Sequence, residues 1–213
     1  ASFSNAEYVV RKVDLSGNTI YQSGPLAGDR EFFTSFSKVN SIGELYVFGL
    51  QSKSGPTEGY LTIAKYSTAG ALDWSMDIPG YDSTSYQNMG PSDMTIDTNG
   101  NVIVLGSAKY VSESSQHGLI LKISPAGNVI WRNDFATASS NNMIMKDLEL
   151  DSYGTLWVSD HSANLYKFDQ STGNLLNTSP IGAPGSFVAG TVRRYGVNEV
   201  LVTSGGYYNY QMA

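Results

Sequence analysis

Apolar and polar residues alternate along most of this chain in short runs, each broken by a tight turn built on glycine. Residues 93–97 (DMTID) alternate as a half-buried strand, and Asn99-Gly100 turns the chain. Residues 101–106 (NVIVLG) then run apolar without interruption, as a strand covered on both faces does. After a longer connection, 117–123 (HGLILKI) reads as a third strand, and the turn at 125–127 leads into a fourth at 129–134 (VIWRND). The same order precedes it, at 36–40, 44–49, 60–66 and 72–78. It also follows, at 147–151, 155–159, 164–169 and 175–178. The chain opens with a third and fourth strand at 8–14 and 18–22, and closes with a first and second at 188–195 and 199–203.

Two kinds of turn alternate in phase with these strands. One carries Gly17, Gly70, Gly127 and Gly173 and joins a lysine-bearing strand (Lys12, Lys65, Lys122, Lys167) to the strand after it. The other carries Gly43, Gly100 and Gly154, with a looser copy at Tyr195-Gly196, and follows a strand ending in Asn or Asp. A repeat of this length predicts an all-β β-propeller forming one domain over residues 1–213. The strand count predicts four blades of four antiparallel strands, with the terminal strand pairs sharing one blade so that no sheet edge is left open. A fragment of a longer array, or two copies forming a larger ring, satisfies the same count. A helical reading fails, because Gly or Pro interrupts every stretch long enough for a helix. A two-sheet sandwich does not account for the in-phase lysine, glycine and aromatic positions.

These positions resemble the bacterial β-propeller repeat abbreviated SBBP. The stretches that carry the resemblance are Ala64-Lys65-Tyr66 with Gly70 and Trp74, and Leu121-Lys122-Ile123 with Gly127 and Trp131. Looser copies are Tyr166-Lys167-Phe168-Asp169 with Gly173, and Arg11-Lys12-Val13-Asp14 with Gly17 and Tyr21. Residues 97–106 are similar to the segment that precedes them in that family. Residues 169–173 are similar to turns of quinoprotein-type propellers. The resemblance implies the fold and a secreted or surface location; no cofactor site is carried over.

Composition narrows the function. Only 15% of the 213 residues are charged and the formal net charge is −6, with no basic run longer than the pairs Arg11-Lys12 and Arg193-Arg194. Nucleic acid is therefore not the expected ligand, since binding it needs clustered cations. No apolar run reaches membrane-spanning length, so membrane insertion is not expected either. The absence of cysteine removes thiol chemistry without excluding an oxidising compartment. A first residue other than Met is consistent with a removed leader, and the expected location is extracellular or at the cell surface.

Several residues invite chemistry, and most have a simpler role. Trp74 and Trp131, with Tyr21 matching, stand at one repeat position and are expected to pack between blades; Trp157 is expected in the core as well. The Asp-x-x-Gly-Asn turns lack the downstream glutamate of a calcium loop, and Asp and Asn there suit turn amides. Asp93 and Asp147 share a repeat position on the innermost strand, with Phe36 and Ala189 as counterparts. They are the candidates for a cation site or for a carboxylate-dependent hydrolase or lyase, against an ordinary solvated role at a strand start. His117 and His161 with Asp160 are the only candidate for a histidine-bearing metal site, and surface positions are the expectation for both histidines. No catalytic motif, metal site or cofactor site is assigned.

In an up-and-down blade the tight turns share one face of the disc and the longer connections share the other. The longer set, around 51–59, 80–91 and 108–116, is rich in Tyr, Ser, Asn and Gly, a composition suited to recognition. The expected binding residues are Tyr81, Tyr86, Tyr110 and Phe32, with Tyr207 and Tyr208 from the tail. The expected ligand is a glycan or a protein partner. The alternative is a structural module whose loops or termini make subunit contacts in a homo-oligomer or larger assembly.

Overall fold

The computed structural model describes residues 10–23, 32–52, 59–78, 87–109, 116–135, 145–162, 164–181, 187–196 and 199–206. They form sixteen strands and no helix. The first pair is β1 (Arg11–Val13) and β2 (Thr19–Gln22). The first blade is β3 (Phe32–Val39), β4 (Leu45–Ser52), β5 (Gly59–Tyr66) and β6 (Leu72–Ile78). The second is β7 (Gln87–Ile96), β8 (Val102–Lys109), β9 (Gln116–Ile123) and β10 (Val129–Phe135). The third is β11 (Met145–Leu150), β12 (Thr155–Asp160), β13 (Asn164–Asp169) and β14 (Leu175–Pro180). The last pair is β15 (Phe187–Gly196) and β16 (Glu199–Gly206).

Each whole blade is an antiparallel meander in chain order, and all sixteen expected strands exist. One expectation is corrected. The terminal pairs do not share a blade: β1–β2 and β15–β16 are two separate two-stranded sheets among the described residues. Each rests instead on the blade next to it in sequence. Val10 and Tyr21 pack against Leu45, Val47, Ala64 and Tyr66 of the first blade. The inner strand β15 lies beside β11 and is held there by Asp147.

The core lies between blades rather than within any one of them. A β-sheet has two faces, and in the middle of this array both meet another sheet. Val102 to Leu105 of the second strand β8 are accordingly all buried, as are Leu119 to Ile123 of β9. One cluster joins Tyr46, Phe48, Leu61 and Ile63 of the first blade to Met94, Val104 and Leu121 of the second. Another joins Ile103, Leu105 and Phe135 to Leu148, Val158, Tyr166 and Phe168.

The innermost strands run longer than the alternation suggests. Phe32 is the first residue of β3 rather than part of a connection, and residues 87–91 belong to β7. Register shifts between Thr34 and Phe36, and between Pro91 and Asp93, interrupt the alternation there. Such bulges place an extra residue on one strand and break the period-2 signal.

The tight turns follow turn chemistry, not calcium chemistry. Asp97 Oδ1 accepts the amides of Asn99 and Asn101, each at 2.9 Å, while Gly100 sits at φ 79°. Asp14, Asn40 and Asp151 repeat the arrangement in their own turns. The left-handed backbone between the two donating amides is a conformation glycine adopts without a steric cost.

Candidate functional site

Antiparallel meanders send alternate connections to opposite faces of the disc, and the two faces of this protein differ. The tight-turn face is braced by three recurring joints; the first and third run from blade to blade, and the second lies mainly within each blade.

The first joint is an aromatic ring laid over a turn glycine. Trp74 of β6 covers Gly127 in the second blade, and its Nε1 donates to Pro125 O at 3.0 Å. Trp131 of β10 covers Gly173 in the third blade and donates to Gln170 O, also at 3.0 Å. Tyr21 of β2 covers Gly70 in the same way. The glycine is needed for room as well as for φ, since a Cβ at Gly173 would stand 2.5 Å from the Trp131 ring. The third blade has Asn177 at the aromatic position, opposite Lys167.

The second joint is the repeated lysine. Lys65 is buried and reaches Glu44 at 2.7 Å and Asp73 at 3.4 Å. Lys122, also buried, reaches Asp97 Oδ2 at 2.9 Å, and Gln170 Nε2 of the third blade donates to that oxygen at 2.9 Å. Burial alone would raise Asp97, but its bonds to Lys122 and Asn101 overcome this and hold the carboxyl below its ordinary value. In the third blade Lys167 instead lies 5.1 Å from the centre of the Trp157 ring, whose Nε1 donates to Asp151.

The third joint uses the inner-strand carboxylates. Asp93 Oδ2 accepts the Leu148 amide of the third blade at 3.0 Å, and Asp147 Oδ2 accepts the Val192 amide of β15 at 2.6 Å. Each therefore bridges to the inner strand of the following blade. These are not solvated residues at strand starts; Asp147 is buried and Asp93 half-buried. The counterpart of Asp147 in β15 is Thr191, next to the bonded amide, rather than Ala189. The first blade offers Phe36 at this position, and the Met94 amide is taken by the Asp93 carboxylate itself at 2.7 Å. Arg193 Nη1 completes the group, 2.5 Å from Asp147 Oδ2.

Burial, then the neighbouring Asp147, push Asp93 up to about 6 against the pull of the Leu148 and Met94 amides. An acid raised in the folded state stabilises the fold below its unfolded pKa of 3.8 and loses that contribution as pH rises through about 6. Acidification from pH 7.5 to 5 is therefore expected to add about 1 kcal/mol of stability. Asp93→Asn is expected to flatten the gain. Urea unfolding midpoints of both proteins across this range provide the check; an unchanged slope in Asp93→Asn would assign the pH response to another group.

The candidate metal groups separate. Asp160 accepts the amide and side-chain nitrogens of Asn164 and the Tyr166 hydroxyl, the last at 2.8 Å. His161 is exposed in the β12–β13 turn, whereas His117 is a half-buried residue of β9. Among the described residues no cluster of three or more His, Asp or Glu side chains converges to hold a metal ion.

On the tight-turn face an open cleft of about 590 Å³ lies between the first turns of the first and second blades. Val39, Asn40, Ile42, Asp97 and Asn99 line it. Sequence reasoning missed this cleft because its residues read as ordinary turn residues; only the approach of two blades makes a groove of them.

On the other face the connections at 53–58, 79–86, 110–115 and 136–144 are longer than the tight turns, whereas only residues 161–163 join β12 to β13. Tyr81, Tyr86, Tyr110, Tyr207 and Tyr208 lie outside the described residues, and so does the side chain of Phe32.

Comparison with solved structures gives the fold. The chain is similar to a quinohemoprotein alcohol dehydrogenase from Pseudomonas putida HK5, with 12% identity over 81% of this chain and 32% of that one, at a TM-score of 0.54. It is similar also to a europium-containing methanol dehydrogenase, with 14% identity over 84% of this chain and 40% of that one, again at 0.54. The fold is a β-propeller. This chain spans roughly a third of the first structure's length and two fifths of the second's. No protein-family model matches the chain, and no curated protein does.

Proposed function

We propose that this propeller is a non-catalytic binding module of the extracellular space or cell surface, recognising a glycan or a protein partner through its long-connection face. The observation that carries this reading is the division of labour between the two faces. Lysine, tryptophan and carboxylate joints occupy the tight-turn end of the blades and the inner strands, so that end is rigid scaffold. The connections richest in Tyr, Ser, Asn and Gly all leave from the opposite face. Irregular loops on a rigid frame are the usual seat of recognition, and tyrosine offers a flat ring with a polar tip. The similarity of the lysine–glycine–tryptophan units to SBBP repeats supports the secreted or surface location.

In this reading Tyr81, Tyr86 and Tyr110 stack against the ligand, with Phe32, Tyr207 and Tyr208 around them. Glycan-array screening of the chain, followed by Tyr81→Ala and Tyr86→Ala, tests it. Each substitution is expected to weaken binding about ten-fold, as the loss of one aromatic contact does. Binding unchanged in both variants would place the site elsewhere.

A second reading, that the chain is a module of a larger assembly, is favoured by one separate observation. The two half-blades expose residues that the whole blades bury.

A further inference from the structure

We propose that two copies of this chain close into a single ring, the β15–β16 pair of each copy completing the β1–β2 pair of the other as a four-stranded blade. This deepens the assembly reading and does not depend on ligand binding by the long-connection face.

The half-blades are unfinished in complementary ways. The pair β15–β16 supplies an inner and a second strand, and β1–β2 supplies a third and an outer strand. Val10 beside β1 and Val192 of β15 are buried against the neighbouring blade, while all of β1 and most of β2 are exposed. Val13 of β1 is 51% exposed, whereas its counterparts Tyr66, Ile123 and Phe168 are at most 1% exposed. Leu201 of β16 is 55% exposed, whereas of its counterparts Tyr46 and Ile103 are fully buried and Trp157 is half-buried. Within one chain, β1 and β16 do not pair among the described residues. In the proposed ring the strand that covers each edge is the other copy's. An edge of this kind, with apolar side chains beside unpaired backbone groups, is a template for another strand.

The register identifies a second copy as the occupant. In the first blade, one row across the strands reads Lys38, Tyr46, Lys65, Trp74; in the second it reads Thr95, Ile103, Lys122, Trp131. The half-blades hold the two halves of such a row, Arg193 opposite Leu201 and Lys12 opposite Tyr21. Setting Leu201 opposite Lys12 completes it. In that register Val200 faces Val13, and Glu199 falls two residues before Leu201, as Glu44 does before Tyr46. Glu44 pairs with the buried Lys65 at 2.7 Å, and Glu199 would meet Lys12 of the other copy in the same way. Glu199, Leu201, Lys12 and Val13 are all exposed in the single chain. Two such junctions, related by a two-fold axis along the ring, leave no sheet edge unpaired.

The chain contains no cysteine, so introduced thiols report contact directly. Val13→Cys and Val200→Cys are made as separate single variants, mixed, and oxidised. The mixture is expected to yield a disulfide-linked species of two chain masses that reduction dissolves, and neither variant alone is expected to do so. A doubly substituted chain that links only to itself would show closure within one chain and overturn the proposal. Light scattering of the unaltered chain at tens of micromolar is expected to give two chain masses. A single chain mass, or species that grow beyond two, would overturn it equally. Lys12→Glu or Glu199→Lys alone is expected to weaken association at least ten-fold, and the two together are expected to restore it. Loss of dimer in the double variant as in the singles would overturn the proposed register.

Discussion

Asp97→Ala is expected to destabilise the fold by roughly 3–5 kcal/mol, the range for leaving one partner of a buried ion pair alone. Asp97 is unusual among the turn acids because its second oxygen serves both β9 and a turn of the next blade. Oδ1 holds the amides of Asn99 and Asn101, while Oδ2 takes Lys122, Asn101 Nδ2 and Gln170 Nε2. Truncation would leave the Lys122 ammonium buried without its carboxylate. The stranded charge is the part of that cost that a second substitution at Lys122 can relieve; the lost hydrogen bonds, worth about 1 kcal/mol each, are not recovered. The double variant Asp97→Ala, Lys122→Met is accordingly expected to be more stable than Asp97→Ala alone. Asp14→Ala removes the equivalent turn bonds from an exposed site and is expected to cost less than Asp97→Ala. Because the Asp97 carboxyl is held below its ordinary value of 3.8, its contribution is complete above that pH and is lost as pH falls through the lowered value. Urea unfolding of the four proteins at pH 7 and pH 3 is the measurement. A double variant no more stable than Asp97→Ala would show that the stranded lysine contributes no such cost.

Trp131→Ala is expected to cost about 3 kcal/mol, at the low end for tryptophan truncation because the ring is only half buried. The ring is the contact between β10 and the third blade's last turn: it roofs Gly173 and its Nε1 holds Gln170 O. Trp131→Phe keeps most of the apolar cover and drops the hydrogen bond, so about 1 kcal/mol is expected. The Lys122 ammonium, 3.4 Å from the same carbonyl, limits that loss. Unfolding midpoints of the two variants separate packing from hydrogen bonding. Equal costs for Ala and Phe would assign the joint to the indole N–H alone.

Much of this architecture is legible in the chain because it is local and repeated. The runs 101–106 and 117–123 identify the buried middle strands, since a strand covered on both faces has no polar side to show. Gly100, Gly127 and Gly173 mark turns because a left-handed residue next to Asp or Ser is a short-range requirement. Trp74 and Trp131 recur at one position, which points to an inter-blade role before any partner is known.

The partners themselves are not legible. Asp93 and Asp147 look alike in sequence whether they face water, an ion or an amide. Their bonds to Leu148 and Val192 depend on how one sheet is rotated against the next. The same applies to Gln170, an ordinary turn residue until it reaches Asp97 from a blade away. The count of sixteen strands came from the sequence alone, because hydrophobic alternation and turn chemistry act over a few residues. Whether β16 meets β1 of its own chain was decided only by the tertiary structure, because that pairing depends on the small rotation accumulated between successive sheets, which no local pattern encodes.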